Sequence, residues 1–506
     1  MLQKVIVRKN EYQDSVRLMN ISRKANAIDG VKKVLVLLGT DGNKKIINDL
    51  GLMIEEIKSS TPNDLIICVE AETESSADNA VIEIDNLLSK PTSKESKSAV
   101  VNNIDQAVTT MPNANLAFFS VPGQFATLDV INAIENNLDV MLFSDNVALE
   151  DEVHLKKLAV KKDLLMMGPD CGTAIINGVP LGFANVIRQG EIGVIGASGT
   201  GIQEITSLIH HLGKGISHAI GVGGRDLKGS VGGLMMISAI RKLAKDKKTK
   251  SLVLISKPAS LKVMQDVVDE AVKTALPVTI CFLGIDSKLN GSKNVTIVNT
   301  LEDAAYSACK RKKKTVKIPE PLNRHLLNMT KERKYLRGLY AGGTLCYEAL
   351  LIFNNNNDVD VYSNIALEAK LKLDYPAKGS QHLCIDMGED DFTNGQPHPM
   401  ISSDFREERF IEEFADPETK VILIDIVLGY GSANDPAGDM VKALNTAREK
   451  INDAGPILIA HVCGTDGDPQ SLNKQKDQLR KAGFFLFDTN ADAARGAIRI
   501  INNDLG

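Results

Sequence analysis

The chain has 506 residues, more than one hydrophobic core accommodates, so three or four domains of roughly 100 to 200 residues are expected. A net charge of −5 and only 4% aromatic residues argue against a nucleic-acid-binding protein. No apolar run approaches the roughly 20 residues that span a bilayer, and the start lacks the apolar segment of a signal peptide, so we expect a cytoplasmic protein without membrane contact.

The N-terminal region, residues 1–90, alternates short apolar segments with amphipathic ones. Strands are predicted over 4–7, 31–38 and 65–69, and helices over 11–27 and 77–88. This pattern predicts a small α/β module of the ferredoxin-like type. A polar, Ser/Lys-rich linker is predicted over 89–98.

Residues 100–188 are predicted to form a Rossmann-like domain. Strands over 116–121, 140–143 and 164–167 alternate with helices that begin near residues 123 and 150, which predicts a parallel sheet. Ligands of such sheets bind at the carboxyl ends of the strands. The residues predicted there are Pro122, Gly123, Gln124, Pro169, Asp170 and Cys171.

Two further domains, over 189–310 and 335–506, repeat one pattern. Residues 197–204 (ASGTGIQE) align with 341–348 (AGGTLCYE), each directly after an apolar strand. Thr-Lys before the next buried strand recurs at 249 and 419, and a Pro two residues after Ala recurs at 277 and 456. The repeat predicts two related flavodoxin-like domains. A basic linker is predicted over 310–334, beginning with the run 310–314.

In both repeats a strand turns through small residues into a helix. The unpaired N–H groups and the positive dipole end of such a helix attract anions. The sequence therefore predicts two phosphate-binding helix starts, although an ordinary tight turn is the alternative for each. The predicted phosphate-binding residues are Ser198, Gly199, Thr200, Gly342, Gly343 and Thr344.

Charged residues at other strand ends are candidates for catalysis. Arg225 offers a planar fork for phosphate or carboxylate, or is a surface residue. Lys257 follows a strand of the first repeat, and Asp425 lies in the matching strand of the second, where the two would either bind substrate or form an interdomain ion pair. His461 is predicted as a core histidine rather than a general base, and nothing marks Cys463 as activated. No metal-ligand spacing occurs.

These residues resemble a known family. Segments 115–136 and 167–171 resemble the CoA-binding domain of succinyl-CoA synthetase α subunits, and 198–200 with 221–224 resemble its first ligase domain. The second repeat resembles the ligase domain of the β subunit, and nearly the whole chain is similar to the FdrA family. The resemblance implies a CoA-binding domain and two succinyl-CoA-synthetase-type domains, with CoA as the one candidate cofactor.

The chain departs from the ligases in three ways. It lacks the Gly-His-Ala-Gly-Ala loop of the phosphorylated histidine, Lys257 replaces the glutamate that supports that histidine, and no segment accommodates an ATP-grasp domain. The resemblance to FdrA implies a subunit of oxamate carbamoyltransferase in anaerobic allantoin breakdown, with carbamoyl phosphate held at the helix starts. Lys257 or Arg225 would neutralise oxamate or developing charge.

Two alternatives remain open for this chain. One is an NDP-forming acyl-CoA synthetase that works with a separate ATP-grasp chain. The other is a non-catalytic scaffold that binds CoA or an acyl phosphate. Both enzyme hypotheses predict small-molecule substrates and partner subunits.

Overall fold

The computed structural model describes residues 2–502 except 12, 14, 27, 41–42, 45–46, 49–50, 90–100, 102, 286–288, 290–291, 314–328, 330–331, 356–358, 380, 394–395 and 452–453. Two compact units are present: 1–100 with 393–397, and 101–392 with 398–506. Most of each predicted linker lies outside the described residues. Of the basic run 310–314, residue 314 is also not described.

The first unit contains a three-stranded antiparallel sheet in the order β1-β3-β2. Because β3 lies between β1 and β2, those two strands form the split β-α-β arrangement of ferredoxin-like modules. The elements are β1 (Leu2–Arg8), α1 (Ser15–Asn26), β2 (Val31–Leu38), α2 (Glu55–Lys58), β3 (Leu65–Ala71) and α3 (Glu74–Ser89).

The second unit begins with a parallel sheet in the order β4-β5-β6, as the alternation of strands and helices predicted. The turn into the helix after β4 requires glycine, because a Cβ on Gly123 would stand 1.9 Å from the carbonyl oxygen of Asp145. The elements are α4 (Ile104–Thr110), β4 (Leu116–Phe119), α5 (Gly123–Glu135), β5 (Asp139–Leu142), α6 (Leu149–Lys161) and β6 (Met166–Met167).

The first repeat is built on a seven-stranded sheet in the order β13-β12-β11-β9-β10-β7-β8. Its five parallel strands have the 2-1-3-4-5 order of flavodoxin-like sheets. The hairpin of β7 and β8 pairs antiparallel with β10, so strand pairing continues across residue 188, where a domain boundary was predicted. The elements are β7 (Thr173–Ile176), β8 (Val179–Gly182), β9 (Gln189–Gly196), α7 (Gly199–His211), β10 (Ile216–Gly221), α8 (Leu234–Lys245), β11 (Ser251–Ser256), α9 (Leu261–Lys273), β12 (Val278–Phe282), β13 (Val295–Ile297) and α10 (Leu301–Ala308).

The second repeat has the same strand order plus one edge strand, β15-β16-β14-β17-β18-β19. This similarity confirms the α/β fold that the repeated sequence motifs predicted. The elements are β14 (Tyr335–Tyr340), α11 (Gly343–Asn354), β15 (Val361–Tyr362), a 3-10 turn (Ala369–Leu371), β16 (His382–Asp386), α12 (Asp390–Thr393), α13 (Asp404–Ala415), β17 (Thr419–Val427), α14 (Pro436–Arg448), β18 (Ile457–Cys463), α15 (Leu472–Ala482), β19 (Phe485–Phe487) and α16 (Asn490–Ile501).

One apolar core joins the two repeats. Ile202 and Ile205 of α7 belong to the same buried cluster as Leu345 and Ala349 of α11. Because these side chains bury their apolar surface against one another, they fix the relative position of the two helices. The starts of α7 and α11 are therefore held in a defined geometry.

The seven cysteines are free and buried. Among the described residues, no helix has the length and apolar character needed to cross a membrane.

Candidate anion site

The two glycine-rich helix starts follow the central strand of each repeat. Ser198 is the N-cap of α7, and its Oγ accepts a hydrogen bond from Gly201 N at 3.0 Å. Gly342 is the N-cap of α11 and supplies no side chain for this purpose. The first amides of a helix have no partner within the helix, so these turns leave N–H groups available.

The structure brings the six predicted phosphate-binding residues together. The hydroxyls of Ser198 and Thr344 form a hydrogen bond across the interface, and Thr200 Oγ1 accepts one from Thr344 N at 3.4 Å. The backbone N–H groups of Gly199 and Thr200 donate no hydrogen bond to any described residue. Two positive helix ends therefore converge, which favours binding of an anion beside them.

Asp425 supports the second helix start rather than facing a ligand. Its carboxylate accepts hydrogen bonds from Ala341 N at 2.8 Å and Gly342 N at 2.7 Å. Arg406 Nη2 lies 2.8 Å from the same carboxylate. The interdomain ion pair considered for Asp425 and Lys257 does not form, because Arg406 on α13 neutralises this buried charge instead.

Lys257 follows β11 and lies at the start of α11. A Cβ on Gly343 would stand 3.2 Å from Lys257 Nζ, so the ammonium group lies close to the first turn of that helix. Within the described parts of the chain, no carboxylate comes within salt-bridge distance of it. Lys257 therefore contributes a positive charge that the fold leaves available for an anion.

Asp386 is a site residue that the sequence reasoning missed. It ends β16, is only 2% exposed, and accepts a hydrogen bond from Gly388 N through Oδ1 at 2.9 Å. Its Oδ2 points at the start of α11, where a Cβ on Gly343 would meet it at 2.3 Å. Burial raises the pKa of Asp386 to about 7, with a smaller lowering effect from Lys257. The sequence feature that could have indicated this site is an aspartate at the end of a strand with a glycine, Gly388, two residues later.

Arg225 has its polar contacts in a different cluster. Its Nε lies 2.8 Å from Glu152 Oε2, and its Nη2 donates to the carbonyl of Val147 at 2.8 Å. Glu152 also pairs with the fully buried Lys156, whose Nζ lies 2.9 Å from Asp226. These four charges join the first repeat to α6, so the guanidinium has a structural partner already.

The residues predicted to bind a cofactor divide into exposed and buried ones. Pro122, Gln124 and Asp170 are exposed at the carboxyl edge of the β4-β5-β6 sheet, whereas Gly123, Pro169 and Cys171 are buried beneath them.

Two of these residues have a shifted pKa. Burial raises the pKa of the Cys171 thiol to about 12, so it is protonated and unreactive. Although Asp170 is an exposed residue, the surrounding atoms desolvate its carboxyl; this desolvation and the Asp145 carboxylate raise its pKa to about 6, while Lys257 lowers it. Lys257 therefore lies within electrostatic range of both Asp170 and Asp386.

His461 is a core histidine, as predicted. Its Nε2 lies 2.8 Å from Glu204 Oε2, and its Nδ1 lies 3.2 Å from the carbonyl oxygen of Phe487. Burial raises the pKa of the neighbouring Cys463 thiol well above its usual range. Both residues stabilise the interface between the repeats.

The fold, the duplicated domains and the paired helix starts define a protein of the succinyl-CoA-synthetase type. The model of the CoA-ligase family matches residues 339–500. The model of the CoA-binding domain matches residues 187–283, in the first repeat, and not residues 100–188, where the sequence resemblance predicted that domain. The α1 subunit of the ADP-forming succinate–CoA ligase of Archaeoglobus fulgidus is 30% identical over 162 residues. That match covers 31% of this chain and 53% of the subunit, so the chain spans about half of that relative.

The chain belongs to an FdrA-like family of succinyl-CoA-synthetase-like proteins. It is 40% identical over 501 residues to the uncharacterized protein YahF of Escherichia coli strain K12, a match that covers 97% of this chain and 96% of YahF. Among solved structures, the dinucleotide-forming acetyl-coenzyme A synthetase 1 of Ca. Korarchaeum cryptofilum, in complex with phosphate and ADP, covers 77% of this chain. It has a TM-score of 0.31 and 14% identity, and 83% of that chain is covered.

Residues 1–104 match the model described as the AllF heavy metal-associated domain. Soft metal ions prefer thiolate ligands. Over the described part of residues 2–89 the one thiol is Cys68, which is buried in β3 and has a pKa raised to about 11 by burial. No group of three metal-ligating side chains occurs among the described residues, so these residues do not fit a heavy-metal site.

Proposed function

We propose that this chain is the phosphate-binding ligase component of an acyl-CoA-synthetase-like enzyme. In this proposal the site beside the starts of α7 and α11 binds the phosphoryl group of an acyl phosphate. The observation that carries the proposal is the contact of Thr344 N with Thr200 Oγ1, which places two positive helix ends side by side. Lys257 Nζ adds a full positive charge at the same place.

The acceptor in this proposal is the thiol of CoA. Pro122, Gln124 and Asp170 would contact CoA at the exposed edge of the β4-β5-β6 sheet. Lys257 lies at the start of α11 and within electrostatic range of Asp170 at that edge, which supports the proposal, since an acyl group must reach both phosphate and thiol. The CoA-ligase and CoA-binding family models support CoA as the acceptor, although the CoA-binding model matches residues 187–283, outside the β4-β5-β6 sheet.

A second candidate is carbamoyl transfer between carbamoyl phosphate and oxamate. The observation that favours it is Lys257, a cation where the ligases carry the glutamate that supports the phosphohistidine. Direct attack of an amide on carbamoyl phosphate needs charge neutralisation but no histidine. The matching subunit of Archaeoglobus fulgidus is named for CoA ligation, so thioester formation is the preferred function.

Ligand-dependent melting tests the anion site, because a ligand that binds only the native state stabilises it. We expect acetyl phosphate and inorganic phosphate to raise the melting temperature of the wild-type protein. Neither compound should change the melting temperature of Lys257→Met. Lys262→Met, on the exposed face of α9, is the matched control and should respond like the wild type. A wild-type protein that no phosphate compound stabilises would contradict the proposal and support the scaffold alternative.

Product analysis separates the two candidate reactions. The chain, isolated with its partner subunits, is given acetyl phosphate with CoA, or carbamoyl phosphate with oxamate, and products are identified by mass spectrometry. Acetyl-CoA supports the ligase function, whereas a carbamoylated oxamate without any thioester supports the transferase.

A further inference from the structure

The anion site contains a buried carboxylate that the proposed function does not explain. Asp386 lies at the end of β16, and its Oδ2 points at the first turn of α11. Oδ1 accepts a hydrogen bond from Gly388 N, but Oδ2 accepts none from the described residues. The residue is only 2% exposed, so the protonation state of its carboxyl responds strongly to any charge placed beside Oδ2.

A negative charge at this position opposes the other features of the site. Lys257 and the two helix ends attract an anion, whereas an ionised Asp386 would repel it at contact distance. A protonated Asp386 removes the repulsion and offers an O–H donor to an anionic oxygen. The protonation state of this one carboxyl therefore decides whether the site accepts a dianion.

We propose that Asp386 takes up one proton when a dianion binds beside the starts of α7 and α11, so that anion binding at this site is coupled to protonation. The inference rests on the proposed function, because it assumes that an anion binds there. It assigns Asp386 a role in binding, in which its protonated carboxyl donates a hydrogen bond to the anion.

The groups that face Asp386 agree with this role. Lys257, from the loop after β11, lowers the pKa of Asp386, while Glu389 and Asp425 raise it. His398 packs on the neighbouring Gly388, and burial lowers its pKa to about 4, so it adds no charge near neutral pH. Burial is the largest effect and places the pKa of Asp386 at about 7 before any anion binds. A dianion would raise it further.

Sulfate is the probe, because it remains a dianion across the neutral pH range and does not titrate itself. Its binding to the full chain is measured by isothermal titration calorimetry at several pH values, each in two buffers of different ionisation enthalpy. We expect the wild type to take up a fraction of a proton that rises towards one above pH 7. Its affinity should fall by up to roughly tenfold per pH unit there.

Asp386→Asn should bind sulfate without proton uptake and with an affinity that hardly changes between about pH 6 and pH 8.5. Asp386→Ser provides a second variant if the amide perturbs folding, and the wild-type measurement stands without either. Asp129→Asn, on the exposed face of α5, is the matched control and should keep the wild-type proton uptake.

Each outcome separates the inference from the function on which it rests. Sulfate binding without proton uptake in the wild type would overturn the role of Asp386 and leave the anion site intact. Unchanged uptake in Asp386→Asn would do the same. No binding of sulfate or of acetyl phosphate by the wild type would overturn the proposed function and, with it, this inference.

Discussion

Glu348 Oε1 accepts a hydrogen bond from Leu301 N at 2.7 Å, although the two residues belong to different repeats. Leu301 is the first residue of α10, the last helix of the first repeat. The reciprocal contact joins Glu204 Oε1 of α7 to Asn490 N, the first residue of α16, at 3.3 Å. Each repeat therefore satisfies an otherwise unpaired amide at the start of the other repeat's last helix.

Glu348→Ala should destabilise the interface between the repeats. The substitution leaves Leu301 N buried without an acceptor, which costs roughly 1–3 kcal/mol, and removes one of the two acceptors of Asn490 Nδ2, which keeps the carbonyl oxygen of Leu345. Urea unfolding of the second unit measures the effect. Glu150→Ala, an exposed glutamate of α6, should change the midpoint little. Equal midpoints for the two variants would show that the reciprocal contact contributes nothing.

Lys156→Met should be among the most destabilising single changes in the second unit. The ammonium group is fully buried and lies 2.8 Å from Glu152 and 2.9 Å from Asp226. Its removal leaves Asp226 as an uncompensated buried charge, which costs roughly 3–5 kcal/mol. Chemical denaturation provides the measurement, and Lys157→Met at the next, exposed position is the control. A loss no larger than that of the control would disprove the structural role of this network.

Arg225→Met should weaken the same network without abolishing anion binding. The guanidinium contacts Glu152 and Val147, so we expect a lower melting temperature but an unchanged affinity for acetyl phosphate. Lys257→Met should show the opposite pattern, because its ammonium group lies at the start of α11. Loss of acetyl-phosphate binding in Arg225→Met would restore the catalytic role that the sequence predicted for it.

Gly343→Ala should weaken anion binding by steric exclusion. A Cβ at this position would stand 2.3 Å from Asp386 Oδ2 and 3.2 Å from Lys257 Nζ, so both groups must move. Calorimetry with acetyl phosphate should therefore show at least a tenfold weaker affinity, about 1.4 kcal/mol. Gly229→Ala is the control, since its nearest neighbour would lie 3.9 Å away. Wild-type affinity in Gly343→Ala would place the anion elsewhere.

Asp386→Asn should change how stability depends on pH. The pKa of Asp386 is 3.8 in the unfolded chain and about 7 in the folded protein, so the folded state binds the additional proton between these values. Its contribution to stability is present in full below pH 4 and is lost as the pH rises towards 7.

The asparagine variant should therefore gain stability relative to the wild type as the pH rises over that range. A difference of about 3 pH units, at about 1.4 kcal/mol each, sets an upper bound of about 4 kcal/mol. Melting temperatures of both proteins at pH 5 and pH 8 provide the comparison. A gap between them that does not widen with pH would contradict the raised pKa.

The sequence by itself determined the elements and their repetition. Apolar segments of four to eight residues, separated by amphipathic ones, predicted the strands, and β2 over 31–38 was predicted to the residue. The paired motifs at 197–204 and 341–348 predicted equivalent helix starts, because the residue types that allow a tight turn into a helix are local.

Only the tertiary structure decided which charged groups meet. Asp425 looked like a ligand-facing carboxylate, yet Arg406 from another element neutralises it, and Arg225 is paired with Glu152. Asp386 was missed because its importance depends on Gly343, 43 residues earlier in the chain, packing against it. The spacing of apolar residues in the sequence indicates only which face of each strand or helix is buried. Parallel sheets then bring the ends of distant strands together, and a side chain's charge partners are set by that packing.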